Sequence, residues 1–360
     1  MSGIVDWGLA ERSASLVIAG LPGRREPEGA VPYRAAEVGR ACAEAIGPVC
    51  EYAGLGEVAD PPAPELLDRR AWAANALATL AEVAEPIERR LADELSLPGP
   101  LGTIARRGAG AAIGAEAGLA AGYAGRRVVG QYDVAILGRV RPARLLFVGE
   151  NLAAARAQLD ADPALFLRWV ALHECTHVVQ FERVGWLTGH LRGLATELLD
   201  GAAEGLDSGA LATAAGRLAR DPRELVRALL RGELSRLVTD PERAVVLDRL
   251  QATMSVVEGH AEHVMDACAA DYGPELEELR RRLERRRARR GELGELIARL
   301  LGMDLKLRQY ELGKAFCDRV VADAGADALQ LVWRSPADLP SLDELESPPA
   351  WLDRVAAVTA

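Results

Sequence analysis

The sequence predicts a mainly α-helical protein with one small β-sheet. Along most of its 360 residues, apolar side chains recur at a spacing near 3.6, the period of a helix with one buried face. Only the runs at 126–137 and 143–151 have the composition of strands, and both are bounded by Gly and Pro. The apolar content of 49% is sufficient for a large core, in one large domain or in two lobes. We therefore expect an α+β fold in which helices dominate.

The first predicted elements are helical. Residues 33–53 and 65–95 have helical apolar spacing and are separated by a DPPAP turn, and Pro86 is expected to kink the second helix or to begin a new one. From Ser96 to Gly125, an Ala-rich run contains glycines at spacings of four. A phosphate-binding loop is the alternative for this run, but no clear strand precedes it and no Gly-Lys-Ser/Thr follows it. We expect instead a helix that packs very close to a neighbour.

The two predicted strands come next, just before the helix that carries the main motif. A small sheet at this position could offer an edge strand to an extended peptide, which is the β-augmentation mode of recognition. The alternative is a sheet that merely covers the core. Both interpretations stay open at this point, because the sequence does not reveal which edge is exposed.

A long buried helix is predicted for residues 163–181. Asp162 offers a side-chain acceptor at the N-cap position, and Pro163 follows it in the first turn, where a missing N–H has no consequence. The residues that follow contain no Gly and no internal Pro, and they are apolar on almost every face. We expect this helix to lie in the core.

The pattern His-Glu-Cys-Thr-His within this helix indicates a metal site. His173 and His177 are one turn apart on the same face, so both imidazoles can reach a single metal ion. Glu174 lies one step round the helix, where it can act on water at the metal without being a ligand. The alternative is two core histidines and a carboxylate satisfied by hydrogen bonds, but burying three such groups is costly without compensation. A divalent cation is the simplest compensation, and the pattern is typical of a metal-activated hydrolase.

The third ligand is expected from the helix predicted for 241–271, which contains the segment SVVEGHAEHVMD. A catalytic zinc site uses three protein ligands and keeps a fourth position open for water. Glu258 could be the ligand, with Glu262 one turn on accepting the N–H of a metal-bound imidazole. Alternatively, His260 or His263 could complete a three-histidine site. The E-x-x-x-E spacing favours Glu258, because one helix face then supplies both a ligand and the group that orients another.

Charge and composition argue against several classes of function. The formal net charge of −10 argues against general binding to nucleic acids or anionic membranes. Eight arginines lie between Arg280 and Arg290, but the i,i+4 spacing of Glu278 and Arg282 indicates a solvated helix face. Five scattered cysteines form neither a disulfide framework nor a CxxC metal site. The N-terminus lacks a secretory pattern and no stretch approaches about 20 uninterrupted apolar residues, so we expect a soluble cytoplasmic protein.

These motifs together resemble the gluzincin branch of the zincin metallopeptidases, in which HExxH on one helix is completed by a glutamate from a later helix. The continuation typical of metzincins is absent, because Gln180 and Arg183 occupy the places of its Gly and last His. More closely, the chain resembles the zincin-like metallopeptidase type 2 family, also described as coenzyme F420 biosynthesis-associated proteins. The segments that carry this resemblance are GQYD at 130–133, LFVGEN at 146–151, HECTHVVQFE at 173–182, SVVEGHAEHVMD at 255–266 and LGMDLKLRQYELGKAF at 301–316.

The resemblance implies a zincin-like fold, with the HExxH helix beside a short sheet and a third ligand from a C-terminal helical lobe. It implies Zn²⁺ as the cofactor, held by His173, His177 and Glu258. It also implies that Glu174 is the general base. A second donor besides zinc is needed to stabilise the oxyanion formed during hydrolysis. The candidates for that catalytic role are His260 and Tyr310, followed by His263 and Arg308.

We expect four segments. Residues 1–200 form an N-terminal lobe with the small sheet and the HExxH helix, and 201–222 form a connection. Residues 223–345 form the C-terminal helical lobe that supplies the third ligand, and 346–360 form a tail.

The expected function is zinc-dependent hydrolysis of peptide or related amide bonds, with no nucleic-acid or membrane partner. One alternative is a zinc-stabilised scaffold or regulatory protein without turnover. The other is a small-amide hydrolase associated with a cofactor pathway. The presence of Glu174 favours an enzyme over a scaffold, because an inactive relative often loses its base.

Overall fold

The computed structural model of the chain describes residues 4–20, 30–94, 100–205, 241–269, 273, 278–282 and 303–357. Helices account for most of these residues, and three short strands form one sheet. The predicted fold class, mainly α with a small sheet, is confirmed. None of the helices in these ranges has both the length and the apolar character needed to cross a membrane.

The elements follow in chain order. The long helices are α1 (Trp7–Ala19), α2 (Ala35–Ala53), α3 (Arg69–Glu94), α4 (Pro100–Gly125), α5 (Gly149–Leu159), α6 (Pro163–Arg183), α7 (Leu187–Gly205), α8 (Pro241–Ala269) and α9 (Met303–Ala324). Shorter helical segments follow at Ala326–Gln330, Leu331–Trp333, Pro336–Asp338, Leu342–Glu346 and Pro348–Ala357. The strands are β1 (Pro64–Leu67), β2 (Gly130–Asp133) and β3 (Arg144–Val148).

The sheet has the order β1-β3-β2, with β3 parallel to β1 and antiparallel to β2. Leu145 and Phe147 of β3 pack with α2 and α6 in one core, whereas Leu146 and Val148 pack with α1 and α3 in another. Both faces of the central strand are therefore buried. Among the described elements, β2 pairs with β3 alone and forms an edge of the sheet.

One part of the secondary-structure prediction is wrong. Residues 64–67 form strand β1, and the helix predicted for 65–95 begins only at Arg69. The segment PELL is too short to show a periodicity, and it becomes a strand because its backbone pairs with β3. Pro86 does not end α3, which continues to Glu94.

The glycine-rich helix α4 packs very close to a neighbour, as predicted, and that neighbour is α1. Four glycines on one face of α4 approach backbone carbonyls of the N-terminal segment so closely that an added Cβ would overlap them. These glycines are Gly110, Gly114, Gly118 and Gly122, and the carbonyls belong to Ile4, Asp6, Ala10 and Ala14. The run is a close-packed helix and not a phosphate loop.

Helix α6 begins as its sequence predicts. Oδ1 of Asp162 accepts hydrogen bonds from the backbone N–H of Ala164 at 3.0 Å and of Leu165 at 2.9 Å. The helix lies between α2 and α8 and beside β2, and most of its side chains are buried. This central position explains why the helix is apolar on almost every face.

The C-terminal region packs onto α8 and α9. These two helices cross at Gly259 and Gly313, where a Cβ added to either glycine would overlap the backbone of the other helix. Residues 346–357 of the predicted tail belong to the same core. Trp351 is completely buried there and its indole N–H donates to the carbonyl of Asp338 at 2.7 Å.

The lobe boundaries stay a prediction. Most of the expected connection at 201–222 lies outside the described residues, and α7 crosses its beginning. Of the charged run at 275–301, only 278–282 are described, and there Arg282 forms the expected i,i+4 pair with Glu278 at 3.1 Å.

Candidate metal centre

Two helices distant in sequence bring three potential metal ligands together. His173 and His177 project from α6, and their Nε2 atoms are 3.2 Å apart. Oε2 of Glu258, on α8, lies 3.7 Å from Nε2 of His173 and 3.6 Å from Nε2 of His177. One ligand atom from each of the three residues lies within 4.8 Å of the other two. Within the described part of the chain, these three side chains form the group that could hold a metal ion.

The electrostatics of the group favour a bound cation. Burial raises the pKa of Glu258, but His177 and His173 outweigh burial and hold that pKa well below its usual range. Burial lowers the pKa of His177, but the Glu258 carboxylate outweighs it and raises the pKa to about 9. A buried carboxylate that keeps its charge needs a positive partner. Two imidazoles and a carboxylate are also ligands that zinc accepts, so the residues fit the ion that the sequence predicts.

Glu174 lies beside this group, but its side chain packs against strand β2. Its side chain packs against Gly130 of β2 so closely that a Cβ there would lie 2.5 Å from Oε1. The backbone N–H of Tyr132 is near enough to the Glu174 carboxylate to lower its pKa. Burial raises the pKa of this carboxyl, and the neighbouring His173 and His177 lower it only in part. The edge strand therefore positions a carboxylate with an elevated pKa next to the three ligands.

Gln180 is a buried residue of the site that the sequence did not identify. It is 0% exposed, and its side chain lies between α6 and α8. Oε1 lies 2.8 Å from Nδ1 of His177, and Nε2 donates to the carbonyl of Val257 at 2.8 Å. Nε2 also lies 3.0 Å from Nδ1 of His260. Its position three residues after His177, inside an apolar helix, is the signal that could have identified it.

His260 does not join the ligand group. It is 3% exposed, contacts Trp333 edge-on with ring centroids 5.1 Å apart, and lines a small cavity with Tyr52 and His263. Burial lowers its pKa to about 3, so the ring is neutral. His260 is therefore not in the group that could hold a metal ion, and its role as an oxyanion donor stays a prediction.

His263 is also engaged away from the ligands. Its Nε2 lies 2.9 Å from the hydroxyl of Tyr52, and its Nδ1 lies 2.7 Å from Oδ1 of Asp318. Both ring nitrogens thus have partners outside the site. Of the two ligand sets that the sequence leaves open, the structure assembles the one with Glu258.

The remaining predicted residues stay predictions. Glu262 is half-buried on α8, close enough to Asp266 to raise the pKa of that carboxyl, whose main perturbation is burial. Arg308 and Tyr310 belong to α9, but their side chains lie outside the described residues.

Two comparisons with known proteins match nearly the whole chain. A family model described as zincin-like metallopeptidase matches residues 5–352. Among solved structures, the chain is similar to one from Chloroflexus aurantiacus that is described as a candidate hydrolase with a novel fold. The two chains are 27% identical, the alignment covers 98% of this chain and 99% of the other, and the TM-score is 0.68. No curated protein matches the chain. The similarity thus reaches far beyond the HExxH motif.

Proposed function

The chain belongs to the zincin-like metallopeptidase family, and from that premise we propose that it hydrolyses peptide or related amide bonds with a zinc ion. The similar Chloroflexus structure is also described as a candidate hydrolase. The observation that carries the proposal is the approach of Glu258 to His173 and His177, with Glu174 beside them.

His173, His177 and Glu258 would hold the zinc ion. Three protein ligands leave the fourth position that a catalytic zinc needs. When bound, zinc supplies Lewis-acid chemistry that activates water and polarises a carbonyl group. The arrangement supports zinc over magnesium or calcium, because imidazole nitrogens suit zinc and the other two ions prefer oxygen ligands.

Glu174 would move the proton. Burial raises its pKa, which makes the carboxylate a better acceptor for a proton from the attacking water, and the same group would then release that proton to the leaving amine. The nearby N–H of Tyr132 would help to orient the carboxylate during both transfers. Because the side chain is 5% exposed, bulk water does not compete strongly for this proton.

The substrate would lie along β2. The backbone N–H of Val148 donates to the carbonyl of Val129, so Gly130 and Tyr132 are the positions whose backbone groups point away from β3. The N–H of Tyr132 is directed to Glu174, so a peptide on this edge would pair with the carbonyl of Tyr132 and with the backbone groups of Gly130. An extended peptide that pairs with this edge would present its carbonyl groups beside the candidate ligands. This supports β-augmentation over a sheet that merely covers the core.

Digestion of a peptide library tests the proposal. The zinc-loaded protein should cleave peptides, and its Glu174→Gln variant should retain zinc and lose cleavage, because the amide keeps the shape but does not accept the proton. Cleavage that survives in Glu174→Gln would refute the general-base role. Zinc binding without cleavage by either protein would favour the zinc-stabilised scaffold. The alternative of a small-amide hydrolase associated with a coenzyme F420 pathway stays a prediction, because the comparisons do not test it.

A second experiment discriminates between the two ligand sets. Elemental analysis should find zinc lost from Glu258→Ala and retained in His263→Ala. The two positions lie on one helix, and each variant removes a polar side chain that is half-buried at Glu258 and buried at His263. The reverse result would assign the third ligand to a histidine.

A further inference from the structure

Gln180 connects the two helices that supply the candidate ligands. Its amide is buried between α6 and α8 and has three polar neighbours: Nδ1 of His177 at 2.8 Å, the carbonyl of Val257 at 2.8 Å and Nδ1 of His260 at 3.0 Å. Val257 directly precedes Glu258 in the chain. A single side chain therefore contacts a ligand of one helix and the backbone beside the ligand of the other.

The orientation of this amide follows from the Val257 carbonyl. A carbonyl oxygen only accepts hydrogen bonds, so the NH₂ group of Gln180 must face it. The amide oxygen then faces Nδ1 of His177, and because that oxygen only accepts, Nδ1 must carry a proton. In the neutral ring the lone pair is consequently on Nε2, the atom that faces His173 and Glu258.

The same amide determines the protonation of His260. The second N–H of Gln180 points at Nδ1 of His260, which must therefore be unprotonated. An imidazole with Nδ1 unprotonated carries its one proton on Nε2, so His260 has its N–H there. Gln180 thus imposes opposite tautomers on two histidines: Nδ1–H in His177 and Nε2–H in His260.

We propose that Gln180 is a positioning residue that turns the Nε2 lone pair of His177 towards the metal position and holds α8 against α6, so that Glu258 approaches both histidines. The inference about metal binding rests on the proposed function, whereas the tautomer assignment does not. A ligand histidine is commonly oriented through its second nitrogen by a carboxylate, a backbone carbonyl or water. Here an amide orients it, and the donor side of that amide also joins the two helices.

Nitrogen NMR of the imidazole rings tests the assignment without any activity measurement. In the metal-free protein at pH 7, His260 should carry its proton on Nε2. In the zinc-loaded protein, His177 should show a slowly exchanging Nδ1–H and a metal-bound Nε2. A proton on Nδ1 of His260, or zinc on Nδ1 of His177, would overturn the assignment.

Variants test the positioning role. Gln180→Met keeps the length of the side chain and removes all three hydrogen bonds, and we expect the zinc Kd to rise about 10–100-fold, the usual effect of losing such an orienting partner. The control is Thr176→Val on the same helix, where an equally buried hydroxyl bonds to the Leu172 carbonyl of its own helix. Its zinc Kd should stay within about threefold of the wild-type value. Equal zinc affinities of Gln180→Met and Thr176→Val would overturn the role.

Gln180→Glu provides a second variant in case the methionine prevents folding. The carboxylate can still accept from Nδ1 of His177, but it cannot donate to His260, so the proton of His260 should move to Nδ1. An unchanged His260 tautomer in this variant would overturn the inference. If no form of the protein binds zinc, the proposed function fails, whereas the His260 tautomer in the metal-free protein still decides the assignment of Gln180.

Discussion

Replacing Gly130 with alanine tests whether the edge strand positions the general base. An added Cβ would lie 2.5 Å from Oε1, 2.6 Å from Cγ and 2.7 Å from Cδ of Glu174. Ordinary contact begins at 3.4 Å, so the carboxylate end of the side chain would have to move by about 1 Å, a displacement large enough to matter for catalysis. Glu174 is 5% exposed, and so it has little room for this movement.

The overlap predicts two effects of Gly130→Ala, one on the stability of the protein and one on kcat. Overpacking of this kind destabilises a protein by about 1–3 kcal/mol, which urea unfolding of the metal-free protein would measure. A displacement of about 1 Å at a catalytic group lowers kcat about 10²-fold, which the cleavage assay would measure. The zinc Kd should change little, because the overlap is with Glu174 and not with a metal ligand.

The control for Gly130→Ala is Gly193→Ala, in the exposed part of α7. A Cβ added at Gly193 meets nothing within 4 Å, so alanine should stabilise the helix by about 0.5–1 kcal/mol and leave kcat unchanged. If Gly130→Ala unfolds and cleaves like the wild-type protein, the close contact between β2 and Glu174 is refuted.

Four more predictions concern the crossing of α8 with α9 and the ligand group. Gly259→Ala should destabilise the protein by about 3 kcal/mol, because the new Cβ overlaps backbone of Gly313 and forces α8 away from α9; an unchanged unfolding curve would contradict the close crossing. In the metal-free protein the pKa of His177 is raised from 6.5 to about 9. The stabilisation that comes from its pair with Glu258 is therefore complete below pH 6.5 and is lost as the pH rises to about 9. Zinc competes with that proton, so zinc affinity measured by chelator competition should increase over the same pH range, and a flat profile would argue against His177 as a ligand. Zinc at about 100 times its Kd should stabilise the protein by about 2.7 kcal/mol, and His173→Ala should lose most of this gain in a thermal unfolding assay.

The features that the sequence predicts well are those that depend on neighbours along the chain. Asp162 begins α6 because its side chain reaches the N–H groups two and three residues later. The shared direction of His173 and His177 depends only on helix geometry. The four-residue glycine spacing of α4 likewise indicates a helix face without side chains, although it does not identify the neighbour.

The features that the sequence does not predict depend on pairing between distant segments. Strand β1 has four residues, too few for a pattern, and its conformation follows from β3, which lies far along the chain. The third ligand is a similar case. Glu258 and His260 are two residues apart on α8 and so point in very different directions, and composition alone does not reveal which of them faces α6.

The contacts that position the candidate site are of the least predictable kind, since they join backbone to distant atoms. Gly130 leaves room for Glu174 to pack against β2, and Gly259 leaves room for α9 to pack against α8. In both places the absence of a side chain determines where a functional side chain lies. Gln180 adds a polar contact that specifies the distance between α6 and α8, because its amide must meet both His177 and Val257. A glycine within a strand or helix, or a lone amide within an apolar helix, lowers stability unless a close approach or a hydrogen-bonded partner compensates for it. Such locally unfavourable residues near an HExxH motif therefore indicate where distant segments meet, and they are the first positions to examine when the ligands of such a site are sought.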